Sequence, residues 1–143
     1  MEPTKVRDVM TAPVVTLRRN DKLTLADDLM RLGRIRHLPI VDDDGEQLVG
    51  ILSQRDLFRG ALAQALGYGR YAQGRLLEMF SIKEVMTTDV ITTSPETLLT
   101  EAARVLMERK IGCLPVVENG RLVGIITESD FVALVARQAQ EAG

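Results

Sequence analysis

The chain repeats itself, and the repeat limits what it can fold into more than any other feature. Val9-Met10-Thr11 returns as Val85-Met86-Thr87, and Val14-Val15-Thr16 returns as Val90-Ile91-Thr92, both displaced by 76 positions. Ile35-x-x-Leu38-Pro39 returns as Ile111-x-x-Leu114-Pro115 at the same displacement. Beyond that point the displacement falls to 74, where Gly50-Ile51-Leu52-Ser53-x-x-Asp56 matches Gly124-Ile125-Ile126-Thr127-x-x-Asp130. The slip lies where Asp42-Asp43-Asp44-Gly45-Glu46-Gln47 faces Glu118-Asn119-Gly120-Arg121. Both stretches are rich in turn formers, where changes of length are tolerated. Four motifs recurring in one order make the chain two copies of one unit.

Each copy reads as strand, helix, strand, strand, helix. A β-branched run comes first, Val14 to Leu17 or Val90 to Thr93. A turn follows at Asn20-Asp21 or Ser94-Pro95-Glu96; in the second, Ser94 suits an N-cap and Pro95 a first helical position. Leu23, Ala26, Leu29 and Met30 then recur at helical spacing, with Arg31 and Arg34 off that face; Leu99, Ala102, Ala103, Leu106 and Met107 do the same in the second copy. Leu38 to Val41 and Leu48 to Leu52 flank an Asp-Asp-Gly turn, and Leu114 to Val117 and Leu122 to Ile126 flank Asn119-Gly120, a strong hairpin signal. Ser53 and Thr127 are good N-caps for a closing helix.

The copies span residues 1–66 and 84–143, with a connection over 67–83. Leu57, Phe58, Ala61, Leu62, Ala65 and Leu66 continue the helix after Ser53, Gly67-Tyr68-Gly69 should break it, and Leu76, Leu77, Met79 and Phe80 suggest a second helical piece. The connection reads as a packed linker or as a dimer-contact or effector surface.

Composition narrows the functional classes. A net charge of −2, no Trp, two Tyr and three Phe give no electrostatic or stacking case for nucleic acid. No apolar run is long enough to span a membrane, and Met1 to Lys5 lacks the pattern of a signal peptide. One cysteine excludes an internal disulfide and fits a reducing, cytoplasmic setting.

The full series, ending in Gly-x-x-Ser/Thr-x-x-Asp and found twice, resembles a tandem pair of CBS domains, a Bateman module. The resemblance covers nearly the whole chain. It implies an α+β fold of two β-α-β-β-α CBS repeats packed sheet to sheet with pseudo-two-fold symmetry. It also implies a regulatory module, not an enzyme. Such a module binds AMP, ADP, ATP or another adenosyl compound such as S-adenosylmethionine or NAD, with no other cofactor. CBS pairs associate head to head, which implies a homodimer; symmetric dimers are also the commonest oligomer. The output would go to an unknown effector protein in trans.

Residue chemistry points the same way. Asp56 and Asp130 follow Ser53 and Thr127 by three residues, in the first turn of a helix. Free N–H groups at a helix start favour phosphate, and a carboxylate there can accept two hydrogen bonds from a ribose diol. Equally, Ser/Thr and Asp can simply cap the helix. An adenine needs an apolar slot, which Val14, Val15, Val90 and Ile91, with Ile35 and Ile111, could line. In CBS pairs the clefts are crossed. By that resemblance one cleft combines Thr127 and Asp130 with Thr11, Val14, Ile35, Arg36 and His37. The other combines Ser53, Arg55 and Asp56 with Thr87, Val90, Ile111, Gly112 and Cys113. The clefts are expected to differ in affinity. Arg36, His37 and Arg55 suit phosphate oxygens, whereas Glu128 would repel them if it points inward.

His37 is the only histidine, and it reads better as a strand-edge residue than as an acid–base catalyst. Cys113 reads as an apolar filler and not a nucleophile. No Cys/His cluster suits zinc, and Asp42-Asp43-Asp44 lacks the spacing of a calcium loop. Two other readings remain: a structural or interaction module with no small ligand, and a nucleotide hydrolase, which would lack a paired base and nucleophile.

Overall fold

The computed structural model describes residues 3–65 and 77–142. The chain forms two compact units, and each draws on both repeats: residues 15–90 form one, and residues 1–14 with 91–143 form the other. The Val-Met-Thr segment of each repeat therefore folds with the hairpin of the other.

In the 15–90 unit, β1 (Leu17–Arg18), α1 (Leu23–Gly33), β2 (His37–Val41), β3 (Leu48–Ser53) and α2 (Gln54–Ala65) follow in order, with a 3-10 turn at Ile82–Glu84. The sheet runs β1-β2-β3, with β1 parallel to β2 and β2 antiparallel to β3. The second unit repeats the plan with a 3-10 turn at Val6–Asp8, α3 (Leu99–Arg109), β4 (Cys113–Glu118), β5 (Arg121–Thr127) and α4 (Glu128–Ala142). β4 and β5 are antiparallel, and Thr93 pairs in parallel with Val116. Residues 77–79 are helical, whereas the break expected at Gly67-Tyr68-Gly69 and the residue Leu76 lie outside the described residues.

Periodicity explains the helices. Leu23, Ala26 and Met30 on α1, and Leu99, Ala102 and Leu106 on α3, are buried at spacings of three and four. They pack on Leu38, Ile40 and Leu52 in one unit and on Leu114, Val116 and Ile126 in the other. Each of the buried Leu, Ile, Val and Met side chains contributes about 1.5–3 kcal/mol by leaving water. Ile82 completes the first core and Val6 the second, both fully buried. The hairpin at Asn119-Gly120 has φ of 52° and 79°, the double left-handed turn that its sequence signals.

Three expectations need correction. Ser94 is not the N-cap of α3. It opens a turn in which Thr97 N–H donates to the Ser94 carbonyl at 3.2 Å, and the helix begins only at Leu99. The reason is pairing with the N-terminal segment: Leu98 bridges Lys5, and Leu99 N–H donates to the Thr4 carbonyl at 2.9 Å. The runs from Val14 and Val90 are not four-residue strands. Only Leu17–Arg18 and Thr93 pair, because ladder contact with β2 and β4 begins at the end of each run. Met107 lies off the buried stripe of α3 and is 77% exposed.

The same pattern of close contacts recurs inside each unit. In the first, Ile51 and Thr87 exchange N–H···O bonds at 2.9 Å each. A Cβ on Gly50 would sit 2.7 Å from Met86 Sδ and 2.9 Å from the Thr87 carbonyl. In the second, Thr11 and Ile125 exchange bonds at 2.8 and 3.1 Å, and a Cβ on Gly124 would meet Met10 Sδ at 2.6 Å and the Thr11 carbonyl at 3.1 Å. The motif glycine thus leaves room for the incoming Met-Thr backbone. Gly50→Ala and Gly124→Ala should each destabilise the protein by about 1–3 kcal/mol, the range for overpacking. Urea unfolding of each variant checks this; an unchanged midpoint would show that the segment yields freely.

Cys113 is buried in β4, and desolvation pushes its thiol up to about 12. Because the folded pKa lies above the unfolded value, the unfolded chain loses this proton first as pH rises. Stability from this group is therefore full below about pH 8.5 and declines between there and about 12. A disulfide reagent at pH 8 should label Cys113 only upon unfolding; labelling of the native protein at the rate of the urea-unfolded chain would contradict the assigned burial.

Candidate functional site

Each unit ends its hairpin in a Ser/Thr-x-x-Asp turn whose aspartate accepts the N–H of the hydroxyl residue. In the first, Ser53 closes β3 opposite His37, and α2 begins at Gln54. Asp56 N–H donates to Ser53 Oγ at 2.9 Å, while Ser53 N–H donates to Asp56 Oδ2 at 3.1 Å. This reciprocal cap satisfies a donor at the helix start and fixes the carboxylate. Gln54 N–H donates to the Arg36 carbonyl at 2.7 Å, tying the start of α2 to the entry of β2.

In the second unit Thr127 closes β5 opposite Cys113, and Glu128 N–H donates to the Gly112 carbonyl at 3.1 Å. Here Asp130 Oδ2 accepts from Thr127 N–H at 2.8 Å and Thr127 Oγ1 at 3.4 Å. Asp130 Oδ1 accepts from Thr11 Oγ1 at 3.3 Å. The threonine of one repeat thus meets the aspartate of the other, 119 positions away.

The candidate residues divide between the units as follows. Ile35, Arg36, His37, Ser53, Arg55, Asp56, Thr87 and Val90 belong to the first; Thr11, Val14, Ile111, Gly112, Cys113, Thr127 and Asp130 belong to the second. Ser53, Asp56, Thr127 and Asp130 are half-buried, as are Val14, Val90, Ile35 and Ile111. Arg36, Arg55, Thr11, Thr87 and Glu128 are exposed. Ile35 and Ile111 pack against their own cores and offer only part of their surface to a ligand. Cys113 is buried in β4 opposite Thr127.

The Met10 and Met86 thioethers seated over the motif glycines were not singled out from sequence as part of this neighbourhood. The repeated Val-Met-Thr was the available signal, but its partner strand lies in the other repeat. Among the described residues no group of three or more His, Cys, Asp or Glu is arranged to hold a metal. Among them, too, no helix is long and apolar enough to cross a membrane.

Comparison with known proteins agrees with this geometry. The family model for the CBS domain matches residues 6–63 and 82–137. A structure from Vibrio cholerae bearing the acetoin-utilization name AcuB is 41% identical, with a TM-score of 0.81 over 100% of this chain and 98% of its own. The CBS domain pair of protein MJ0100, solved in complex with 5′-methylthioadenosine and S-adenosyl-L-methionine, is 30% identical with a TM-score of 0.76, covering 95% of this chain and 99% of that one. CBSX2, solved in complex with AMP, is 27% identical with a TM-score of 0.76 over 96% and 99% of the two chains. Curated relatives are longer: this chain spans 42% of the Methanocaldococcus jannaschii protein MJ1225, to which it is 33% identical over 91% of its own length. Two copies of one α+β unit, each ending in a capped Ser/Thr-x-x-Asp, place the chain in the CBS-domain family as a tandem pair.

Proposed function

We propose that this chain is a regulatory ligand sensor, and not an enzyme, which binds AMP, ADP, ATP or another adenosyl compound and passes the signal to a separate effector protein. The observation that carries this reading is the pair of capped helix starts. At Ser53–Asp56 and Thr127–Asp130 a fixed carboxylate stands in the first turn of a helix. A ribose diol can donate to such a carboxylate, and a phosphate is favoured by the nearby helix start. The complexes of CBSX2 with AMP and of MJ0100 with 5′-methylthioadenosine and S-adenosyl-L-methionine support the choice of ligand class. Half-buried Val14, Val90, Ile35 and Ile111 supply apolar surface for a base.

A ligand acts as a signal only by binding one arrangement of the protein better than another. The readout is expected on the helices of a homodimer in the cytoplasm. Apolar side chains left exposed on each helix, Phe58 at 65% on α2 and Val132 and Val135 at 69% and 64% on α4, support a second copy as the partner. One observation favours a purely structural module instead: the reciprocal Ser53–Asp56 cap already gives both side chains a role.

Two measurements separate these readings. At 100 times its Kd, a ligand held only by the native state adds about 2.7 kcal/mol of stability. At least one of AMP, ADP, ATP, S-adenosylmethionine and NAD should therefore raise the melting temperature; five flat responses would favour the structural module. Asp56→Ala and Asp130→Ala should each weaken binding by about 1.5–3 kcal/mol, as for a hydrogen bond to a charged group. Titration calorimetry reads this, and parental affinity in both variants would remove the diol role.

A further inference from the structure

Resting on the nucleotide reading above, we infer that the two half-sites fill in order, Ser53–Asp56 before Thr127–Asp130, because Thr11 competes with the ligand for Asp130. The two aspartates occupy equivalent places but are differently engaged. Asp56 uses Oδ2 for the Ser53 N–H, and its Oδ1 takes no bond among the described residues. Asp130 has both oxygens engaged: Oδ2 accepts from Thr127, and Oδ1 accepts from the Thr11 hydroxyl.

The difference is made by side chains on matching backbones. Thr11 and Thr87 are held by the same pair of main-chain bonds, to Ile125 and Ile51 respectively. Ser53 Oγ accepts the Asp56 N–H, whereas Thr127 Oγ1 lies at donating distance from the Asp130 carboxylate. Thr11 then closes on the remaining oxygen, its backbone held by the two-bond bridge to Ile125. A ribose diol meets an oxygen open to both its hydroxyls at Asp56, but at Asp130 it must share Oδ1 with the Thr11 hydroxyl or displace it. Breaking one hydrogen bond to a carboxylate to make another returns little net energy.

Charge in the first helical turn acts in the same direction for phosphorylated ligands. α2 opens Gln54-Arg55-Asp56, whereas α4 opens Glu128-Ser129-Asp130. Arg55 and Glu128 are both exposed, so their fields are screened but opposite in sign. The Asp130 half-site therefore disfavours AMP relative to an uncharged adenosyl compound, and the Asp56 half-site does not.

Calorimetry on the full chain with AMP and 5′-methylthioadenosine as probes tests this. Asp56→Asn should remove the tighter of two affinities and Asp130→Asn the weaker. In the Asp56→Asn background, the near-isosteric Thr11→Val should tighten both probes by about two- to ten-fold, the range of a single net hydrogen bond. Glu128→Gln in that background should tighten AMP alone. Unchanged or weaker binding in Thr11→Val, with circular dichroism showing a folded protein, would overturn the competition. Loss of the weaker affinity in Asp56→Asn would overturn the order. If neither Asp→Asn variant alters binding, the nucleotide reading itself falls, an outcome separate from failure at Thr11 alone.

Discussion

The close approach of a Met-Thr backbone to a side-chain-free position on a hairpin strand governs the rest of this structure. Gly50 and Gly124 sit where any Cβ would strike a thioether and a carbonyl. Their bareness lets Thr87 and Thr11 complete two-bond bridges to Ile51 and Ile125. Those bridges in turn locate two fully buried residues, Ile82 from the connection just ahead of the second repeat and Val6 from the first repeat, each in the core built around the other repeat's hairpin. A repeat taken alone would thus lack one of its own core side chains, and the hydrogen bonds that cover one stretch of its hairpin would go to water. The exchange of segments makes each unit depend on both halves of the sequence, which accounts for a chain of this length burying two small cores.

The same exchange brings chemistry to the helix starts. Thr11 reaches Asp130 only because its segment is bridged to the strand that ends in Thr127. The caps do not compete with a binding role. In Asp56 one carboxylate oxygen holds the turn together, and this fixes the direction of the other. A group already ordered by its own backbone loses less freedom when it meets a ligand, so capping is part of what suits the residue to recognition.

Much of this was legible in the sequence. The repeat, the hairpin turns, the amphipathic helices and the Ser53 cap all rest on local rules, period, turn chemistry and capping, whereas the Thr127 hydroxyl, expected to cap in the same way, lies against the Asp130 carboxylate. What was not legible depended on contacts between distant segments. Ser94-Pro95 has every local feature of a helix start, yet Leu98 and Leu99 are paired to Lys5 and Thr4, and this moves the start by a turn. Val14 to Leu17 has strong β propensity, yet only Leu17 finds a ladder partner within it. Met107 follows the buried Leu106 and fits the apolar pattern, but one helical step turns it to solvent. Propensity proposes an element, and the neighbour decides its limits.

Duplication gives two copies of one backbone, and here the main-chain bonds stay nearly the same in both. Val6 to Thr97 and Ile82 to Asp21, Arg7 to Pro95 and Lys83 to Arg19, Leu99 to Thr4 and Leu23 to Phe80 are matched N–H···O pairs within 0.2 Å of one another. Such bonds hold the fold and leave little room for change, because an unpaired backbone group is costly wherever water is excluded. Side chains at the helix starts carry no such obligation. Gln54 against Glu128, Arg55 against Ser129 and Ser53 against Thr127 alter charge and hydrogen bonding without disturbing a single matched pair. The freedom to diverge therefore lies in the first turns of α2 and α4, and a duplicated scaffold of this kind can separate two binding properties while keeping one architecture.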